Sequence, residues 1–513
     1  MVDSKVVNMT MEIPILSVQI LLPLVTAVFV IVFANQENIG LRNKYAKYIG
    51  IFSSGLTLLA SCYMIAIFDY SKSGYQFQEH YGVAKSLGLE YHIGVDGISL
   101  LFIALTSLLI AICFISVSFS LEKRVKEFLI AFLLLESFVI ACFSSVNLLL
   151  FYIFFEAMLI PMYIIIGCWG GENRVYAAFK FFLYTFFGSV FFLLALITIY
   201  IKIGSFDIMY LSNFSYLNGK DISTILPSWI WFAIFISMAV KVPMIPFHTW
   251  LPDAHVQAPT SGSVILAGIL LKVGGYGMIR VLLQIFHSWS VEYSQYIIYL
   301  SIAAIIYGSL VAIAQTNMKK MIAYSSVAHM GYVTAGIFCN TLTALSASLF
   351  QMLSHGLISS GLFLAVGMLY DRVHTKEIAD YGGVASRMPI LATFFMILVM
   401  GSIGLPGTSG FIGEFIILLE ILKFEFMRES FFGMNWSSPI IAAFGVVLGA
   451  VYMLSLYKRT MFGEITNPKI KKITDIGLHE VCILLVLCIF IVFIGIQPEY
   501  ILSIFRLGLV GIL

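Results

Sequence analysis

Charge is what this 513-residue chain has least of: Asp, Glu, Lys and Arg make up 11% of it, against about 25% in a soluble globular protein. That scarcity excludes an ordinary water-soluble fold, nucleic-acid binding through a basic surface, and a disordered chain. Cysteine is sparse as well. Cys62, Cys113, Cys142, Cys168, Cys339, Cys482 and Cys488 lie scattered through or beside apolar segments, with neither metal-site spacing nor the framework of a secreted scaffold, and read as small buried hydrophobes. No glycine-rich phosphate loop, dinucleotide fingerprint or cysteine cluster occurs, so neither a cofactor nor a metal is expected on this chain. A cleavable leader is not evident either, because the first apolar run is too long for one and lacks a convincing small-residue cleavage site.

What is present is hydrocarbon: 60% of the residues are hydrophobic and the mean hydropathy is +0.99. A helix needs about 20 apolar residues to cross a bilayer. Windows of that kind fall at 13–34, 46–68, 98–119, 127–145, 147–167, 176–201, 227–248, 259–282, 295–315, 321–340, 343–370, 389–422, 438–457 and 477–496. The runs are too continuous for the alternation of a membrane barrel, and backbone groups in lipid must be satisfied within the element. The predicted fold is therefore an all-α polytopic membrane bundle of about fourteen transmembrane helices.

Seventeen basic residues fall in the connections from odd to even spans and eight on the opposite side. The bias predicts that the odd-to-even connections face the cytoplasm and that both termini lie outside. No connection is large enough to hold a catalytic domain, so any chemistry must sit inside the membrane.

Several charges stand where lipid is expected. Lys241, in "ISMAVKVPMIPFHTWLPDAH", precedes Pro243 and Pro246, each of which removes a backbone donor and crowds the preceding turn. A broken helix beside a buried ion is how transporters build midplane sites, whereas a lysine in mid-bilayer by accident costs about 2.5–3.5 kcal/mol. Lys272 lies mid-span among Gly268, Gly274, Gly275 and Gly277. Lys180 and Arg280 lie near span ends, where snorkelling interface anchors and functional charges read alike. Of the embedded acids Glu136, Glu156 and Glu414, Glu156 is the natural partner for Lys241. Glu136 reads equally as a second such carboxylate or as a hydrogen bonder between helices. His329 and His355 fall within spans among serines and glycines, which suits a hydrated proton relay, with a satisfied core histidine as the rival reading. His248, Asp253 and His255 look like the polar end of a broken helix rather than a zinc site. Glu156, Lys241, Lys272, His329, His355 and Glu414 could thus form a lateral chain of ionisable groups across the bundle.

Pro406 and Gly407 precede Glu414 as in a second broken span. One discontinuous helix in each half suggests two inverted five-helix repeats. The implied organisation is three helices over 1–126, a first repeat over 127–282, a second over 295–457, and a last helix and tail over 477–513.

The run "KVPMIPFHTWLPDAHVQAPTSGSVILAGILLKVGGYGMIR", Lys241 to Arg280, resembles the signature of the antiporter-like membrane subunits of respiratory complex I and of multi-subunit cation/proton antiporters. The resemblance extends over nearly the whole chain. It implies that Glu156 and Lys241 are the central pair, that Lys272 is the lysine of the next span, and that Glu414 marks the M-type members, where L-type and N-type members carry lysine. It further implies a proton-pumping subunit of NADH:quinone oxidoreductase in a bacterial inner membrane, flanked by L-type and N-type subunits, the L-type lateral helix and lipids. NADH, FMN, iron–sulfur and quinone chemistry would then lie in other subunits, with none bound here. An Mrp-type sodium/proton antiporter subunit is the alternative, and a purely structural membrane scaffold would need none of the midplane charges.

Overall fold

Backbone groups in hydrocarbon are satisfied most simply by coiling, and the apolar runs do so almost everywhere. The computed structural model describes residues 14–33, 39–84, 88–121, 123–427 and 437–512. Lys5, Lys85 and Arg428, used in the charge count, lie outside the described residues.

The chain opens with α1 (Ile15–Phe33) and α2 (Ile39–Ile67), followed by an antiparallel hairpin of β1 (Gln76–Ala84) and β2 (Leu89–Val95). Next come α3 (Gly97–Ser120), α4 (Val125–Ser144), α5 (Leu148–Ala157), α6 (Leu159–Trp169) and α7 (Arg174–Ile203), then the short α8 (Ile208–Ser212) and α9 (Phe214–Asn218). The middle of the chain holds α10 (Trp229–Lys241), α11 (Trp250–Gln257), α12 (Thr260–Ile265), α13 (Leu271–Gly277), α14 (His287–Ile313), α15 (Met318–Phe338) and α16 (Leu342–Val373). It closes with α17 (Pro389–Ile403), α18 (Ser409–Met427), α19 (Ser437–Met461), α20 (Leu478–Ile496) and α21 (Glu499–Leu509).

Eleven helical stretches among the described residues are long and apolar enough to cross a membrane, and α10 and α17 are shorter apolar helices. The apolar windows of two of these stretches, Thr260–Leu283 and α16, are entirely buried, whereas only about a third of the corresponding windows of α1 and α2 is covered. The inner helices touch protein on every side, so they can carry serine, histidine and lysine that lipid would penalise.

The chain is mostly helical, as expected, and departs from expectation in detail. The connection at 69–97 folds into the hairpin, whose strand β2 is bridged to Ser145 just ahead of α5. The apolar stretch Leu148–Trp169 is interrupted at Met158, and the break expected at Pro406 and Gly407 divides 389–422 into α17 and α18. The amphipathic α21 was not foreseen, because its eleven residues are too few to cross a bilayer. Finally, only Cys113, Cys142, Cys339 and Cys488 are buried, while Cys62, Cys168 and Cys482 are exposed on outward helix faces.

Local signals explain the helix starts nearest the interior. Asp96 caps α3 by accepting from the backbone N–H of Ile98 and Ser99, Asn147 caps α5, and Asn317 caps α15 through Lys320 N–H.

Candidate functional site

The prolines after Lys241 end α10 at that residue, and α11 begins only at Trp250. Lys241 is therefore the last helical residue before a break, buried at 3% exposure. Its ammonium has no hydrogen-bond partner and lies over the Phe155 ring, 4.4 Å from the centroid. Glu156 follows Phe155 at the end of α5, half-buried, with Oε1 unpartnered. The expected Glu156–Lys241 ion pair is thus not direct: no nitrogen–oxygen contact within 4.0 Å joins them, and the two charges act on each other through space.

Lys241 reaches the next helix through a missing side chain. A Cβ on Gly274 would stand 2.9 Å from Lys241 Cβ and 3.0 Å from Val242 N, so only glycine lets α10 and α13 approach this closely.

Two residues before Gly274, Lys272 is fully buried. The helix around it is wound as a π-helix over Leu266–Leu270 and again over Met278–Leu283. Such widened turns occur often at functional sites. Lys272 Nζ donates to Ala267 O, in the first π stretch, at 2.5 Å and to His355 Nδ1 at 2.7 Å.

From His355 on α16 the polar groups continue without an apolar gap. The His355 and His329 rings are 5.7 Å apart. His329 Nδ1 lies 2.6 Å from Glu414 Oε1, and His329 Nε2 is 3.3 Å from Ser402 Oγ. Gln351 Nε2 also donates to Glu414 Oε1, at 2.8 Å. His329, His355, Glu414, Gln351 and Ser402 line a cavity of about 10 Å³, close to the minimum that admits one water. His355 Nε2, beside this cavity, has no partner.

The break between α17 and α18 places Glu414. Gly404 adopts φ +80° and Gly407 φ +94°, turning the chain so that Glu414, in the second turn of α18, points back at α15.

The structure therefore hydrogen-bonds Lys272 to His355 and His329 to Glu414, brings the two imidazoles to 5.7 Å, and packs Lys241 against Gly274 on the helix that carries Lys272. Glu136 belongs elsewhere. It accepts from Thr57 Oγ1 at 2.6 Å in a network with Gln19, Ser61 and Ser107 among α1 to α4. Arg280 does not snorkel: it is buried and paired with Asp96, with Tyr75 and Tyr276 stacked on its guanidinium. Lys180 pairs with Asp253 at 2.6 Å, tying α7 to α11. His248 and His255 are buried with all ring nitrogens unpartnered. Among the described residues no group of three His, Cys, Asp or Glu could hold a metal ion.

Gln351 and Ser402 were not singled out from the sequence, whereas Gly274 was, as one of the glycines around Lys272. A glutamine in an apolar helix was the one available signal, and it did not reveal which carboxylate the amide meets.

Known proteins are similar to this chain in sequence and in fold. A family model described as "NADH:quinone oxidoreductase/Mrp antiporter, TM" matches residues 145–438. NADH-quinone oxidoreductase subunit M of Rickettsia felis is 58% identical over 503 residues, covering 98% of this chain and 99% of that one. A chain in the structure of respiratory complex I from Thermus thermophilus with bound NADH superposes with a TM-score of 0.84 at 26% identity, over 97% of this chain and 99% of that one. A chain of the Mrp complex from a Dietzia species gives 0.83 at 20% identity, over 98% and 97%, a likeness of fold alone.

Proposed function

Because the chain belongs to the NADH:quinone oxidoreductase/Mrp antiporter family of membrane subunits, with its close relatives on the subunit M branch, we propose that it is a proton-translocating membrane subunit of an NADH:quinone oxidoreductase. The observation that carries this reading is the string Lys272–His355–His329–Glu414, hydrogen-bonded at both ends with the two imidazoles 5.7 Å apart, inside a bundle of helices apolar enough to cross a membrane.

The contacts set a direction for each hydrogen. An ammonium only donates, so His355 accepts at Nδ1 and holds its own hydrogen on Nε2. A carboxylate only accepts, so His329 donates from Nδ1 to Glu414 and leaves Nε2 free to accept. A proton leaving Lys272 enters His355 at Nδ1 and releases another from Nε2. The 10 Å³ cavity lined by both imidazoles has room for one water, which would carry that proton to His329 Nε2, and His329 passes its Nδ1 proton to Glu414. Each imidazole takes a proton on one face and gives one from the other.

Lys241 and Glu156 act on the head of this string. When Glu156 is charged it stabilises charge on Lys241; when it is neutral, the unpaired Lys241 ammonium repels charge on neighbouring lysines, favouring release from Lys272. Glu136 serves as a hydrogen bonder between helices rather than as a member of the relay.

In this reading NADH, FMN, iron–sulfur clusters and quinone belong to other subunits, and the neighbours in the membrane are L-type and N-type subunits with the L-type lateral helix. The membrane is a bacterial inner membrane, with the seventeen-residue basic side in the cytoplasm and both termini outside. The Mrp alternative rests on fold likeness at 20% identity, against 58% for the subunit M relative.

The test uses the whole complex in inverted membrane vesicles, following NADH oxidation and acidification together. Lys272→Met and Glu414→Gln complexes that assemble are expected to acidify the lumen far less per NADH than the parent. Undiminished acidification in both would overturn the reading, as would sodium-dependent proton exchange without NADH oxidation.

A further inference from the structure

A second large cavity lies well away from the relay, on the face where the basic connections gather. Its volume is about 690 Å³, within the range of lipid and cofactor sites. It opens where the last turn of α3, the first turns of α4 and α20, and the end of α16 meet the turn between α11 and α12.

Its lining is of two chemistries. The apolar part is Val117, Leu121, Phe128, Leu364, Met368 and Ile483. The charged part is Lys319, Arg372 and Lys376 with the carboxylates Asp371 and Glu480. Among the described lining residues that is a surplus of one positive charge before His374 and His479 are considered.

The charges are not equally engaged. Arg372 and Glu480 neutralise each other in a two-pronged pair at 2.9 and 2.7 Å. Lys319 Nζ makes one hydrogen bond, to Ala258 O at 2.9 Å, and Lys376 Nζ makes one, to Val256 O at 2.7 Å. Neither ammonium has a carboxylate within 4.0 Å, although Lys319 is only 2% exposed. An ammonium has three donors, so each lysine retains two beside the cavity. The carbonyls they touch are the last of α11, which explains why the two cations are anchored on one wall.

A site with an apolar wall, two under-used ammonium groups and one surplus positive charge fits a monoanionic phosphodiester attached to hydrocarbon. We propose that this cavity binds the headgroup of an anionic glycerophospholipid, with its phosphate on Lys319 and Lys376 and the start of its acyl chains against Leu364, Met368 and Ile483. Basic pockets between helices on the cytoplasmic side are where such headgroups bind. The lysines hold the lipid at the end of α11, so the lipid braces the broken half-helix that follows Lys241. The proposal does not depend on the relay: it rests on the cavity and its charges.

The experiment uses the intact purified complex in mixed vesicles containing a trace of photoactivatable phosphatidylglycerol or, separately, photoactivatable phosphatidylcholine. Cross-linked peptides are mapped by mass spectrometry. The phosphatidylglycerol probe is expected to label peptides covering 116–121 and 364–376, and the phosphatidylcholine probe is not. Lys319→Gln with Lys376→Gln should cut that labelling by about tenfold or more, the loss of about one favourable charge contact per lysine. Lys376→Gln alone gives an intermediate decrease and guards against a fold defect in the double variant. Equal labelling by both probes overturns the proposal, and so does undiminished labelling of the double variant. Displacement of the label by inorganic phosphate at millimolar concentration also overturns it, by assigning the site to a soluble anion.

Discussion

Lys272 Nζ and His355 Nδ1 stand 2.7 Å apart with no carboxylate near enough to pair with the lysine directly. A buried ammonium whose side-chain partner is a neutral imidazole is poised to give its proton away rather than to keep it. His355→Gln preserves size and one acceptor but cannot accept on one atom while releasing from another. Proton transfer through the string is expected to slow by at least about a hundredfold, the usual worth of a positioned acid–base group. Vesicle acidification per NADH oxidised, in a complex shown to assemble, reads this directly.

Gly274 sets the approach of Lys241 to the Lys272 helix. Gly274→Ala forces backbone or side chain of α10 to move and is expected to cost about 1–3 kcal/mol, typical of overpacking. Gly55→Ala is the control, because nothing lies within 4 Å of its added Cβ, and it should be neutral or slightly stabilising. Thermal unfolding of the two purified variants should separate them by several degrees; equal midpoints would show that the contact is soft.

Arg280 and Asp96 form a fully buried pair at the end of the π-wound segment, and Asp96 also caps α3. Arg280→Met leaves a lone buried carboxylate and is expected to destabilise by about 3–5 kcal/mol. Adding Asp96→Asn removes that charge while keeping the cap, so the double variant should recover part of the loss. The yield of assembled complex and its melting temperature give the cycle.

Outside the membrane the hairpin is fastened to the segment before α8 by His92 Nδ1 and Asp207 Oδ2 at 2.8 Å. Burial alone would raise the Asp207 carboxyl, but hydrogen bonds from His92 and from Tyr210 N–H outweigh it and hold the group below its ordinary value. A carboxyl depressed in the folded state stabilises fully above its unfolded value of about 3.9 and loses that contribution as pH falls through the folded value. The Asp207 contribution should therefore be constant from neutral pH down to about 5 and weaken only in stronger acid. Hydrogen exchange at Leu89–Val95, corrected for the intrinsic rate, should rise as pH falls below about 4, and Asp207→Asn should raise it already at neutral pH.

Glu136 supplies the contrast. Its contact to Thr57 belongs to a network of α1 to α4 that does not meet the Lys272 string. Glu136→Gln keeps an acceptor for Thr57, so pumping per NADH is expected to stay within about twofold of the parent, where Glu414→Gln falls far lower. A loss in Glu136→Gln as deep as in Glu414→Gln would place it back in the relay.

Opposite charge brought Glu156 and Lys241 together but not into contact: each acts on the other through space, and the cation rests on the Phe155 ring. The rule that worked well was helix breakage. Pro243 and Pro246 stop α10 at Lys241, and Pro406 with Gly407 separates α17 from α18, because a missing donor and a left-handed turn are local facts that no tertiary contact can undo. The hairpin was missed for the opposite reason: strands of nine and seven residues and mixed polarity are held by long-range backbone contacts, β2 to Ser145 and Val146 just ahead of α5, which no local pattern reveals.

The sequence by itself determined that this chain lives in a membrane, that its helices break beside Lys241 and ahead of Glu414, and that six ionisable groups fall within apolar spans. These follow from composition and local backbone chemistry. Which of those groups touch was decided by the tertiary structure alone. Lys272 and His355 are 83 residues apart, and His329 and Glu414 are 85 apart. Whether such groups meet depends on helix rotation and on close approaches at positions such as Gly274, and one helix period leaves every rotation about the axis open until neighbouring helices pack.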